Sequence, residues 1–357
     1  MTTEHRITLT SLLGALMLAV VAVQPTHAQS ATQIEKAVNE AFAKFQSLQE
    51  GKNADYIPAL AKVDPALFGI AVVTADGKVF TAGDNGTEVS IQSISKVFTM
   101  AKVIDELGAD AIRENMGVDA TGQVFNSINA IEQFKGKEMN PLVNPGAIAA
   151  TSMIPGNSAD EVWRRIIETH NAFAGRKLSV LQDVYKSEAD SNQRNQAIGA
   201  LMFAYGRIAK DWAQAVDLYT RQCSIGVTAR DLAVMAATLA NGGRNPVTGV
   251  QAINPKNVPQ VLAVMATAGL YDDSGKWLYL TGLPAKSGVG GGLIAVVPGK
   301  FGIAVVSPPL DEAGNSVRAQ RVIADIAAQL GANPYASLPR PATAAAAKSS
   351  PATQLKQ

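Results

Sequence analysis

Apolar residues form unbroken runs near the two ends of the chain and helical spacing between them. "FGIAVVT", Phe68 to Thr74, is followed by Asp76-Gly77 and a second run from Lys78 to Ala82, a pattern that predicts a β-hairpin. Toward the other end, Leu293 to Val297 and Phe301 to Val306 flank Pro298-Gly299-Lys300 and predict another. A helix follows over Ser316 to Leu330, with Ile323, Ile326, Ala327 and Leu330 on one face. Helical spacing also covers Ile34 to Leu48 and, between the hairpins, Ser93 to Leu107, Ala159 to Phe173, Asn192 to Ile208 and Thr228 to Leu239. The last opens on a capping-box pattern, Thr228 to Asp231, and stops at Asn241-Gly242-Gly243. These elements predict a mixed α/β fold of the α+β type. Both ends of the chain (about 67–83 and 284–306) build one antiparallel sheet flanked by helices, with a helical lobe over about 93–270. Such a fold leaves a cleft between sheet and lobe.

The extremities follow other rules. Leu12 to Val23 is continuously apolar, preceded by His5 and Arg6 and followed by Thr26-His27-Ala28. The stretch is shorter than the ~20 residues a spanning helix needs and ends on a small-x-small pattern. Residues 1–28 therefore read as a cleavable signal peptide cut after Ala28, which implies a periplasmic or secreted protein without a stable membrane anchor. From residue 337 to 357 the sequence is rich in Ala, Pro, Ser and Lys and reads as a disordered tail. Residues 29–336 are left as the folded domain.

Composition removes several classes of function. Charged residues are 17% of the chain, the net charge is +1 and no long basic run occurs, which argues against nucleic acid as a partner. Cys223 is the only cysteine, so no intrachain disulfide can form. Of the three histidines, His5 and His27 fall in the signal and only His170 remains. His170 sits in the amphipathic pattern "VWRRIIETHNAF" and reads as a helix-surface or helix-end residue rather than a catalytic base. One cysteine and one histidine do not suit a zinc site. No metal or organic cofactor is expected.

Hydrolytic chemistry would then need another base, and "SIQSISKVF" offers one. Val97, Met100, Ala101, Ile104 and Leu107 form one buried helical stripe, and Ser93 and Lys96 lie three apart on that helix. A serine hydroxyl becomes nucleophilic when a lysine held neutral by burial or by a nearby positive charge takes its proton. At a helix N-terminus the serine's own N–H can also face a developing oxyanion. A second element, "LPAKSGVGGGL", carries Lys286-Ser287-Gly288 ahead of a strand. Ser-x-x-Lys on a helix facing Lys-Ser/Thr-Gly on a strand is the arrangement of the serine β-lactamases and penicillin-binding proteins. In that arrangement the strand supplies a second oxyanion N–H, and Lys286 a second positive charge that depresses Lys96.

The sequence resembles the serine-dependent bacterial glutaminases, a family of the β-lactamase-like fold, in seven segments between Tyr56 and about Ile303. These are "DYIPAL", "SIQSISKVF", "MNPLVNPGAI", "VYKSEADSNQRN", "LYTRQCSIGVTARDLAVMAATLANGG", "MATAGLYDDSGKW" and "PAKSGVGGGL". The resemblance implies hydrolysis of L-glutamine through a glutamyl-serine intermediate. It implies Ser93 as nucleophile, Lys96 as its partner, Tyr271 as a proton relay, and the backbone N–H groups of Ser93 and Val289 as oxyanion donors. The positions it implies for substrate contact are Tyr56, Gln92, Ser93, Asn144, Glu188, Asn195, Tyr219, Tyr271 and Val289. We expect a homo-oligomer, dimer or tetramer. Glu188 and Asn195, seven apart, would share a face if their segment is helical, and Asn144 falls in a Pro/Gly-punctuated loop. Whether Lys96 or Tyr271 is the base stays open in the sequence.

Two rivals compete. A β-lactamase or D,D-peptidase would share both motifs, with Ser127-Ile128-Asn129 as a candidate third element. A non-catalytic amino-acid-binding protein would need the pocket but not the paired lysines.

Overall fold

The computed structural model describes residues 29–336 apart from 138 and 210; the expected signal, 1–28, and the expected tail, 337–357, lie outside the described residues. Strands β1 (Gly69–Thr74) and β2 (Val79–Gly83) form the first hairpin. Strands β3 (Val89–Ser90) and β4 (Gly226–Val227) pair as a separate two-stranded ladder. The C-terminal strands β5 (Ala285–Ser287), β6 (Gly292–Val297) and β7 (Phe301–Val306) complete the main sheet, in the order β2-β1-β7-β6-β5 with every neighbour antiparallel. The sheet drawn from both ends of the chain is thus the architecture observed.

Strands β1, β6 and β7 are buried along their whole length, which explains their unbroken apolar runs. Side chains still alternate. Val73, Ile294 and Ala304 enter the core shared with the helical lobe. Val72, Ala295 and Ile303 enter a second core under the helices Ala31–Phe45 and Val317–Gln329. Helix Ala229–Ala240 crosses the lobe side of the sheet, closed at its start by the Thr228/Asp231 capping box. It comes so near that a Cβ on Gly302 would meet Ala237 N at 2.3 Å, so glycine is what permits this approach.

Some sequence expectations shift. Ser93 lies not in the α-helix but in a 3-10 turn, Gln92–Ile94, and the α-helix spans Ser95–Leu107. The expected apolar stripe holds as far as Ile104, but Leu107 is exposed, and burial extends around the helix to Phe98, Thr99 and Lys96. Asn144 does not sit in a loop; it opens the helix Asn144–Met153, where Pro145 occupies a first-turn position that tolerates a missing N–H. Glu188 and Asn195 do not share a helix. Gln182–Asp190 ends at Ser191, and Gln193–Ala204 begins anew. The helices Ala109–Met116, Ile128–Phe134, Trp212–Cys223, Val258–Ala268 and Ser274–Thr281 were not expected from spacing.

Candidate active site

The 3-10 turn carrying Ser93 sits between the main sheet and the lobe. Gln92, which opens it, has φ +49°, a conformation that costs a non-glycine residue roughly 1–2 kcal/mol. Tyr271 is strained in the same way, at φ +56°. Two such residues beside one serine are the kind of strain that collects at functional sites.

Ser93 Oγ lies 2.9 Å from Lys96 Nζ, and Lys96 Nζ donates to Asn144 Oδ1 at 2.7 Å. Asn144 Oδ1 also accepts from the Tyr219 hydroxyl at 3.1 Å, while Asn144 Nδ2 donates to Asn195 Oδ1 at 2.9 Å. The other serines of the segment are committed elsewhere. Ser95 Oγ donates to Gln92 O, and Ser90 Oγ accepts from Gln92 Nε2. Gln92 Nε2 also donates to Glu188 Oε2 at 3.1 Å. Tyr271 packs its ring 4.9 Å from that of Phe125, and its hydroxyl donates to Ser287 O at 3.3 Å. In the turn after β5, Gly288 N–H donates to Gly292 O and Gly291 N–H to Gly288 O. The N–H of Val289 between them, like that of Ser93, has no acceptor among the described residues.

These side chains line a cavity of about 240 Å³. Tyr56, Gln92, Ser93, Asn144, Glu188, Asn195, Tyr219 and Val289 all face it, with Tyr56 (53% exposed) at its mouth. Lys96, Tyr271 and Lys286 are buried and do not line it. The cavity also takes in Phe125, Asn126 and Arg194, which sequence reasoning missed. Arg194 adjoins Asn195 in "NQRN" and donates through Nε to Asn126 O at 3.0 Å. Among the lining residues it is the one cation. Its position next to an expected substrate contact was the only signal in the sequence.

Burial sets the charges. Lys96 is buried within the lobe, and the loss of solvent brings its ammonium down to about 8, partly opposed by Cys223 and Glu188. Burial pushes the Glu188 carboxyl up to about 7, against the Gln92 hydrogen bond and Lys96. Burial also raises Tyr219 and Tyr271, so both are phenols near neutral pH. Lys286 lies close by, against Tyr271. It is fully buried, donates to Ser287 O at 2.7 Å and lies 4.2 Å from the Tyr271 ring centre. Burial first, then the charge of Lys96, drives Lys286 well below the ordinary lysine range. The lowering of Lys96 itself comes first from burial.

His170 is not a surface residue: it is 1% exposed, bonded through Nδ1 to Ile166 O, and burial lowers it to about 4. It is a neutral core residue beside Phe98. Ser127 caps the helix Ile128–Phe134 by accepting from Ala130 N–H, and Asn129 is exposed, so Ser127-Ile128-Asn129 is a helix start. Among the described residues no three His, Cys, Asp or Glu side chains group to hold a metal, and no helix is long and apolar enough to cross a membrane.

The glutaminase family model matches residues 51–335. A glutaminase from Colwellia psychrerythraea is 54% identical over 300 residues, 84% of this chain and 96% of its own. A second, from Brucella canis, is 51% identical over 306 residues, 86% and 96% of the two chains. The chain belongs to the glutaminase family. Solved structures agree with this assignment. The probable glutaminase ybaS superposes with a TM-score of 0.85 at 46% identity, covering 87% of this chain and all of that one. A probable glutaminase from Bacillus subtilis complexed with 6-diazo-5-oxo-L-norleucine gives 0.75 at 29% identity, covering 85% and 97%. The β-lactamase-like fold is that of these glutaminases.

Proposed function

We propose that this glutaminase hydrolyses the side-chain amide of L-glutamine to L-glutamate and ammonia through an ester on Ser93. The observation that carries the reading is the 2.9 Å approach of Lys96 Nζ to Ser93 Oγ, deep in a polar cavity whose one lining carboxylate is Glu188. A neutral Lys96 gives one N–H to Asn144 Oδ1 and keeps its lone pair for the Ser93 hydroxyl proton. Ser93 Oγ then attacks the amide carbon. The free N–H groups of Ser93 and Val289 receive the oxyanion, a contribution of ~10²–10³ in rate for each donor of this kind. As the C–N bond breaks, the nitrogen takes the proton back from Lys96, passed through the Tyr271 hydroxyl, and leaves as ammonia. A water molecule then attacks the ester with Lys96 again accepting a proton, and glutamate is released with Ser93 restored. Tyr271 is raised well above neutral pH, which suits a proton donor and relay; Lys96 is the base.

The amino-acid end of the substrate would lie toward Glu188 for its ammonium, and toward Asn195, Tyr219 and Arg194 for its carboxylate. Buried polar groups left unpaired reject analogues strongly. Glu188→Gln keeps the shape and removes the charge, so we expect kcat/KM for glutamine to fall ~10²–10³-fold with little change in thermal midpoint. An unchanged kcat/KM in that variant would remove Glu188 from ammonium recognition.

The reading as a whole is tested by following ammonia release from glutamine and asparagine alongside turnover of a chromogenic β-lactam. Glutamine turnover supports it, and β-lactam turnover without glutamine turnover overturns it. We propose further that residues 1–28 direct export. Intact mass of the protein from the cell envelope should place its first residue at Gln29, and retention of the apolar Leu12–Val23 stretch in that fraction would refute the cut.

A further inference from the structure

Tyr271 holds an unfavourable backbone conformation, and something must hold it there. On its N-terminal side, Gly269 O accepts from Ser287 N–H of β5 at 3.2 Å. The approach to β5 is so tight that a Cβ on Gly269 would lie 1.8 Å from Ala285 O. On its C-terminal side Ser274 holds the turn twice, its backbone N–H donating to Tyr271 O and its hydroxyl adding a second link. Ser274 Oγ accepts from Leu270 N–H at 2.9 Å and donates to Tyr271 O at 2.7 Å, so it bridges the two peptide groups that flank the turn. Leu270 O is held by Asp273 N–H at 3.0 Å and by Asn315 Nδ2 at 3.5 Å. Ser274 is 2% exposed and does not line the cavity, so it does not touch a substrate.

We propose that Ser274 is a positioning residue for the reaction: its hydroxyl clamps Leu270 and Tyr271 in the left-handed turn that aims the Tyr271 phenol at Ser93 and the Ser287 carbonyl. Without the hydroxyl, the Leu270 N–H loses its acceptor and Tyr271 C=O keeps only the Ser274 N–H, so the tyrosine relaxes toward the right-handed region, which carries the phenol away from the reacting atoms. A displacement of about 1 Å at a catalytic group can reduce a rate ~10²-fold. The inference rests on the role given to Tyr271 above.

The test is a double-mutant cycle on glutamine turnover, with kcat, KM and thermal midpoint measured for the wild type, Ser274→Ala, Tyr271→Phe and the double variant. Ser274→Ala should lower kcat ~10–100-fold with KM within about two-fold. In the Tyr271→Phe background the same change should cause no further loss, because the group that Ser274 positions has already gone. Ser274→Cys, close in shape but a weaker hydrogen-bonding group, should give an intermediate kcat and serves where the alanine variant does not fold. Full kcat in Ser274→Ala or Ser274→Cys overturns the proposal, as do losses that multiply in the double variant, the result of a purely structural role. Full kcat in Tyr271→Phe removes the role of Tyr271, and this inference with it, but leaves the glutaminase reading standing. Absence of glutamine turnover in the wild type would instead fail that reading.

Discussion

Ser93→Ala is expected to lower kcat for glutamine by ~10⁴-fold or more while leaving the fold intact. The hydroxyl has no substitute. Ser95 Oγ is turned back onto Gln92 O, and Ser90 Oγ is engaged by Gln92 Nε2, so neither can reach the carbon that Ser93 would attack. The oxyanion donors are backbone groups and survive the change. Residual turnover should therefore reflect water attacking a bound and polarised amide, which triad-type enzymes retain at a low level. The stability effect should be small, because the main loss is the hydrogen bond of Ser93 Oγ with Lys96, and a net hydrogen bond is worth about 1 kcal/mol. Glutamate affinity, measured by calorimetry, should stay within a few-fold of the wild type, since Glu188, Asn195 and Tyr219 are untouched. Ammonia release above about one hundredth of the wild-type rate would place the nucleophile elsewhere and undo the assignment.

Much of this arrangement was legible in the sequence, and the exceptions have physical causes. The main strands were readable because their faces are both buried, so apolar residues run without interruption and only turn residues punctuate them. The helix beyond β7 was readable because one face is buried and one exposed, which writes a 3.6-residue period. Helix Val258–Ala268 is apolar almost throughout, so its spacing does not separate from a general apolar background, while Trp212–Cys223 buries polar Thr220 and Gln222 beside its apolar residues, which blurs its face. The break at Ser191-Asn192 left no glycine or proline to mark it, so Glu188 and Asn195 looked like one helical face. They converge on the cavity all the same, from two helices meeting at that break. Spacing selected Ser93 and Lys96 and the family resemblance supplied most of the cavity lining, yet the direction in which Lys286 is shifted could not be read. A lysine in a Lys-Ser-Gly strand looks like a charge on paper. Its downward shift follows from complete burial with Lys96 as a neighbour, which only the packed structure contains.

Lys96→Met should lower kcat ~10³–10⁴-fold and also erase a limb of the pH profile, which separates loss of a base from loss of packing. Methionine matches lysine in length and is apolar, so a buried site accepts it, and the thermal midpoint should hold or rise. In the wild type, kcat/KM reports the free enzyme. Two groups must have lost their protons there: Glu188, at about 7, to receive the substrate ammonium, and Lys96, at about 8, to accept the Ser93 proton. The sign is the same for both, so activity rises with pH. The logarithm of kcat/KM should climb with a slope near two below pH 7 and near one between 7 and 8, then level off. The neighbouring thiol and phenols do not add limbs in this range. Burial pushes the Cys223 thiol up to about 12, and Tyr219 and Tyr271 stay protonated. Glu188→Gln should therefore reduce the lower slope from two to one and leave the step near 8. Lys96→Met should remove that step and keep the one near 7. Lys96→Arg should restore nothing, because a guanidinium cannot shed its proton in this range. A step near 8 that persists in Lys96→Met would assign it to another group and take the role of base away from Lys96.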